Sequence, residues 1–139
     1  LNSMLAKLEA FDAGADEAIM LDTRGFVSEA PTSNLFTVKK GEITTPPPTA
    51  GILCGITRAT VMEIALKLGY HVIERDITPS ELISADEVFL TGTHAEIVPV
   101  TKIAERIIGD GKVGAVTRMI IKEFKVVTLD PKQGVQIYP

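Results

Sequence analysis

Apolar and polar positions follow one another along this chain in short blocks whose period changes several times. Near the start, Met4, Leu5, Leu8 and Phe11 fall at helical spacing, with Ser3 placed to cap the helix and Gly14 to end it. Strand-like blocks and turn residues then take over. Residues 17–21 and 26–29 flank Asp22-Thr23-Arg24-Gly25, which predicts a hairpin. Residues 34–38 and 42–45 flank Lys39-Lys40-Gly41, which predicts a second. The run Pro46-Pro47-Pro48 suits neither a sheet interior nor a helix, so it reads as an extended connector.

A further helix is expected over 58–68, with an apolar stripe of Val61, Met62, Ala65, Leu66 and Leu68 and a stop at Gly69. Residues 71–75 read as a strand. Thr78-Pro79-Ser80-Glu81 combines a capping hydroxyl, proline at the first helical position and an acid three residues on, so a short helix starts there. Residues 87–91 form a buried-type strand running into Gly92, and 97–100 form another that Pro99 places at an edge or a bulge. Gly109-Asp110-Gly111 is a tight turn, and 116–125 a final helix. The tail beyond Lys125 carries no motif, and its apolar residues are expected to dock on the domain. There is no repeat and no low-complexity segment. Strands interleaved with helices predict an α/β layer or barrel.

Composition narrows the function classes. At 139 residues the chain suits one domain, and 45% apolar against 23% charged residues is the balance of a folded protein. A net charge of −4 and a pI near 5.2 give no electrostatic footprint for nucleic acid or an anionic membrane surface. No apolar run approaches the roughly 20 residues that cross a bilayer, and no signal peptide is visible. Cys54 is the single cysteine, which excludes an internal disulfide and points to a reducing cytoplasm. A start at Leu1, already inside a helical pattern, reads as a cut rather than a gene start.

Three places carry candidate chemistry. Gly55-Ile56-Thr57-Arg58 puts a glycine and a hydroxyl at a helix start, where free N–H groups and the positive dipole end suit a phosphate; the alternative is that Thr57 only caps the helix. Thr91-Gly92-Thr93-His94 lies beyond a strand end, where ligands collect in α/β folds, and His94 there reads by default as an exposed turn histidine. Glu29 ends a strand beside Thr32-Ser33-Asn34. It is either solvated or, facing a pocket, able to keep a heterocyclic nitrogen protonated. Cys54 is expected to be a small buried residue, and neither His71 nor His94 has a partner at metal spacing. These residues alone support a soluble α/β domain that binds a phosphorylated ligand.

The ordered set says more. Ala15-Asp16-Glu17-Ala18-Ile19-Met20-Leu21-Asp22, Val27-Ser28-Glu29, Asn34-Leu35-Phe36, Thr45-Pro46 and Gly55-Ile56-Thr57-Arg58 occur in turn. Ala85-Asp86-Glu87-Val88-Phe89, Thr91-Gly92-Thr93-His94-Ala95-Glu96-Ile97-Val98-Pro99-Val100 and Gly111-Lys112-Val113-Gly114 follow. In this order and spacing the chain resembles class IV (fold type IV) pyridoxal-phosphate aminotransferases, most of all the branched-chain group. The resemblance implies an α/β pseudobarrel, with residues 1–139 as the cofactor-binding large domain.

It also implies pyridoxal 5′-phosphate as cofactor, with Glu29 on the pyridine nitrogen and Leu53 near the ring. Gly55, Ile56, Thr57, Gly92 and Thr93 would surround the phosphate, and the N–H groups of Thr93 and His94 would take the substrate carboxylate. No metal is implied. Substrates would be a branched-chain L-amino acid and 2-oxoglutarate, in a cytoplasmic homodimer or higher homo-oligomer. The family's Schiff-base lysine belongs a few residues before Leu1, so neither it nor the smaller N-terminal domain is in this sequence; Lys7, on the first helix, is a solvated residue. Two departures from the family pattern are Ala30-Pro31-Thr32-Ser33-Asn34 in place of a glycine-rich stretch, and His94 in place of a small residue. The alternatives are a D-amino-acid aminotransferase, an aminodeoxychorismate lyase, or a non-catalytic fragment that binds the cofactor reversibly.

Overall fold

The second hairpin nucleates the main sheet. In the computed structural model, which describes residues 1–134, Asn34–Lys39 (β1) and Glu42–Thr45 (β2) pair antiparallel around Lys40 and Gly41. Both turn residues have positive φ, 50° and 81°, the two-residue turn whose twist matches the strands. Val72–Glu74 (β3) adds parallel to β2, while Glu87–Gly92 (β4) and Glu96–Val100 (β5) complete a sheet of order β3-β2-β1-β4-β5. Pro99 lies in edge strand β5, where a missing N–H interrupts no interior ladder. The first predicted hairpin closes by backbone bonds between Met20 and residues 28 and 29, but forms only an isolated bridge, Leu21 to Val27. A two-stranded ribbon, Lys102–Ile103 (β6) with Arg106–Ile107 (β7), leaves no trace in the hydropathy pattern because each strand is too short to show a period.

Both faces of the sheet are covered, which is why β1 and β4 read as near-continuous apolar runs rather than alternating ones. On one face Phe36, Val38, Ile43 and Phe89 meet Val61, Ile64 and Ala65 of helix Ile56–Lys67 and Ile120 and Phe124 of helix Ala115–Leu129. The rings of Phe36 and Phe89, opposite one another in the β1–β4 register, stack with centroids 5.0 Å apart. On the other face Leu35, Val88 and Leu90 pack with Val27, Ala30, Ile77, Leu82 and Ile108. In chain order the helices are α1 (Asn2–Asp12), α2 (Ile56–Lys67), α3 (Pro79–Ile83) and α4 (Ala115–Leu129).

Several expectations need correction. Ser3 lies within α1 and caps nothing, because the helix already begins at Asn2. The apolar positions of α1 share a face, yet no residue of the helix is buried; Met4, Leu5, Leu8 and Phe11 are exposed. Helix α2 starts at Ile56, two residues early, and its buried stripe runs through Thr57, Arg58, Val61, Ile64 and Ala65, leaving Leu66 exposed. Two polar residues on that stripe hide its phase. Pro47 is extended as expected and Pro46 belongs to no helix or strand, but Pro48 opens a single 3-10 turn, Pro48–Ala50. The capping box at Thr78 forms, with Glu81 N–H on the Thr78 hydroxyl and the Glu81 carboxylate on Thr78 N–H.

Helix α4 has no local side-chain cap. Its first turn is instead capped from the sheet by Glu87, whose carboxylate accepts from Val116 N–H, Thr117 N–H and the Thr117 hydroxyl. Gly114 leaves room for it, since a Cβ there would overlap the Glu87 carboxyl. At the far end Val127 packs on the core while Val126 and Leu129 are exposed, so docking of the tail is only partial; residues 135–139 lie outside the described part. No described helix is long and apolar enough to cross a membrane.

Candidate active site

Antiparallel pairing sets the start of β1 against the end of β4, with Asn34 opposite Thr91. Two further pieces arrive at that edge of the sheet. One is the turn 30–33, closed by paired backbone bonds between Ala30 and Ser33, which returns the chain from Glu29 to Asn34. The other is segment 52–55, which leads into α2. Together they line a cavity of about 120 Å³. Glu29, Leu53, Gly55, Ile56, Thr57, Gly92 and Thr93 all lie on its wall, joined by Asn34, Thr91 and residues 30–33.

The polar groups divide into two ends. At one, Glu29 is half-buried, and its Oε2 accepts from Asn34 Nδ2 at 2.8 Å and from Leu53 N–H at 3.1 Å. Burial raises this carboxyl above the usual range; the two donors pull it back only in part. At the other end stands the N-terminus of α2. Its N-cap is Gly55, no side chain caps it and no acid occupies its first turn, so its free N–H groups and dipole suit an anion. Thr57 is therefore not a cap; it is the buried second residue of the helix and forms part of the cavity wall. A Cβ on Gly55 would overlap Asn34 Oδ1, so the helix start can approach β1 only with glycine there.

Arg58, buried in the same turn, points away from the cavity. Its guanidinium donates to the Pro46 carbonyl at 3.0 Å and to Glu74 at 2.6 Å, tying α2 to β3 and the proline connector. Thr91 is 1% exposed, and its hydroxyl is the one buried side-chain polar atom without a hydrogen bond among the described residues. Sequence reasoning gives neither Asn34 nor Thr91 a role in the site, although both stand within its motifs. Their signal lay in a strand register that only the fold makes visible.

Other candidates fall outside the cavity. His94 is exposed in the turn after β4 and does not line it. Cys54 is exposed, contrary to expectation, because the segment entering α2 runs along the surface. Leu53 is 74% exposed and contributes its backbone to the Glu29 end. Lys7 bonds Glu17 and the Asp16 carbonyl and does not line the cavity. Among the described residues no cluster of three or more His, Cys, Asp or Glu side chains could hold a metal ion. A second hollow of about 520 Å³ shares Ile56, Thr57 and Thr93 with the first and extends to Phe124, Val127 and Asp130 at the end of α4.

The family model for amino-transferase class IV matches residues 1–103. The chain belongs to the class IV aminotransferase family. It is 46% identical over 124 residues to the branched-chain-amino-acid aminotransferase of Pseudomonas aeruginosa, an alignment covering 89% of this chain and 40% of that one. Among solved structures, it is similar to the T.th. branched-chain amino acid aminotransferase complexed with N-(5′-phosphopyridoxyl)-L-glutamate. The TM-score is 0.89 at 43% identity, covering 95% of this chain and 45% of that one. The same enzyme complexed with 4-methylvaleric acid gives 0.90 at 43% identity, with the same coverage. The fold is the α/β pseudobarrel of the fold type IV enzymes that the resemblance implied. This class IV chain spans less than half the length of these relatives.

Proposed function

We propose that the protein carrying these residues is a pyridoxal 5′-phosphate-dependent aminotransferase that exchanges amino groups between a branched-chain L-amino acid and 2-oxoglutarate. The observation that carries this reading is the pairing, in one cavity, of a half-buried carboxylate with an uncapped helix N-terminus. The donor set fits the cofactor. A phosphate suits the N–H groups at Ile56 and Thr57 with the hydroxyls of Thr57 and Thr93, and the glycine at 55 keeps that approach open. The orphaned Thr91 hydroxyl is a buried polar group lacking the partner that a polar ligand would supply. When bound, the cofactor supplies a protonated ring that withdraws electrons from the substrate α-carbon.

The residues of this chain prepare that chemistry. Glu29, raised in pKa while it has no cation beside it, favours a protonated nitrogen at the ring position, and that positive charge in turn favours the ionised carboxylate. Leu53 and the turn 30–33 flank the ring. The N–H of Thr93 on the cavity wall and that of His94, in the exposed turn at its edge, receive the substrate carboxylate. Residues 1–139 form the large domain, and the anchoring lysine and small domain come from elsewhere in the same cytoplasmic, homo-oligomeric protein. The glutamate adduct and the branched acid held by a relative that is 43% identical support the substrate pair.

The test uses the complete gene product reconstituted with the cofactor, assayed with L-leucine, L-valine and D-alanine against 2-oxoglutarate. Turnover of both branched L-amino acids with little D-alanine activity is expected. Turnover of D-alanine without L-leucine would overturn the reading.

A further inference from the structure

We infer that Asn34 is a positioning residue for Glu29, holding one carboxylate oxygen so that the other faces the cavity; the inference rests on the cofactor reading of that cavity. Asn34 begins β1, is 5% exposed and is held by its register opposite Thr91. Its Nδ2 donates to Glu29 Oε2 at 2.8 Å and to the Leu53 carbonyl at 2.7 Å. Both partners can only accept, so chemistry alone dictates which end of the amide is nitrogen. Both N–H bonds of that group are thereby used. With Leu53 N–H also on Oε2, that oxygen carries two donors, while Oε1 receives none among the described residues. A carboxylate bound this way presents Oε1 in a single orientation.

The same amide links the two ends of the site. Leu53 lies two residues before Gly55, the N-cap of α2, and Asn34 Oδ1 fills the space that a Gly55 side chain would need. One side chain therefore sets the spacing between the carboxylate that meets the ring nitrogen and the helix start that meets the phosphate. Neither aspartate nor an aliphatic residue does both. Aspartate would put a second carboxylate against Glu29, and an aliphatic residue would leave the Leu53 carbonyl without this donor and Glu29 Oε2 with Leu53 N–H alone.

The experiment compares two cofactors on the complete apo-protein: pyridoxal phosphate and its analogue with carbon in place of the ring nitrogen. Dissociation constants are read by fluorescence titration for wild type, Asn34→Ala and Asn34→Asp. Loss of a hydrogen bond to a charged group predicts weakening of pyridoxal phosphate by about tenfold to a hundredfold in Asn34→Ala. Asn34→Asp should be at least as weak. The nitrogen-free analogue makes no demand on Glu29 but still uses the helix start that Asn34 abuts, so its binding should weaken severalfold less than that of pyridoxal phosphate. Equal losses for both cofactors, or none for either, would overturn the inference and leave the cofactor reading standing. A wild-type protein that binds neither cofactor would overturn both. If Asn34→Ala does not fold, Asn34→Asp, of the same size, carries the comparison.

Discussion

Partial burial works against the charge of Glu29, and that conflict is measurable. It holds the carboxyl above the ordinary value of 4.5, so the folded chain binds the proton more tightly than the unfolded one. Stability from this group is then greatest below that ordinary value and falls as pH rises through the raised one. Glu29→Gln keeps an acceptor for Asn34 and Leu53 while removing the charge. In the absence of cofactor it should raise the thermal midpoint at pH 7, and the gain should vanish below about pH 4. With cofactor the order reverses, because glutamine cannot offset a ring cation. A Glu29→Gln protein that is no more stable than wild type at pH 7 would contradict the burial argument. Sequence reading reaches Glu29 through a motif, but not the reason for its shifted pKa, since Leu53 and Asn34 meet it only after the turn 30–33 has closed.

Helix α2 shows what local pattern reports and what it conceals. Its end at Gly69 is legible because glycine takes positive φ there, 85°. Its phase is not. A buried arginine reads as solvent-facing in any hydropathy pattern, yet Arg58 joins α2 to Pro46 and Glu74, and Glu74 stays partly exposed. Arg58→Leu strands the Pro46 carbonyl and frees Glu74 to water. A loss of about 2 kcal/mol is expected, read as a shifted urea midpoint with little change in slope. The loss should also loosen the helix start that forms one end of the cavity. Capping chemistry is legible at Thr78, where every partner lies within one turn, and is misassigned at Ser3 and Thr57, where backbone start points decide.

At the scale of the whole molecule, the five strands of the main sheet and most turns can be read from the sequence because glycine and proline punctuate it. The sheet order cannot, since β1 pairs with β4 across all of β2, α2, β3 and α3. The cavity inherits that non-locality: Glu29, Asn34, Thr57 and Thr93 converge only when β1, α2 and β4 are assembled. Family motifs contain all of these residues; the register brings Asn34 and Thr91 into the site.

The Glu87 carboxylate at α4 carries this into the order of events during folding. A helix whose Val116 N–H depends on an acid 29 residues earlier has little reason to form before β4 is in place. Its docking should therefore follow the rate-limiting step. Replacing Glu87 by alanine should leave the refolding rate nearly unchanged and accelerate unfolding, giving a φ-value near zero. A φ-value near one would mean that α4 is already seated when the chain crosses its barrier.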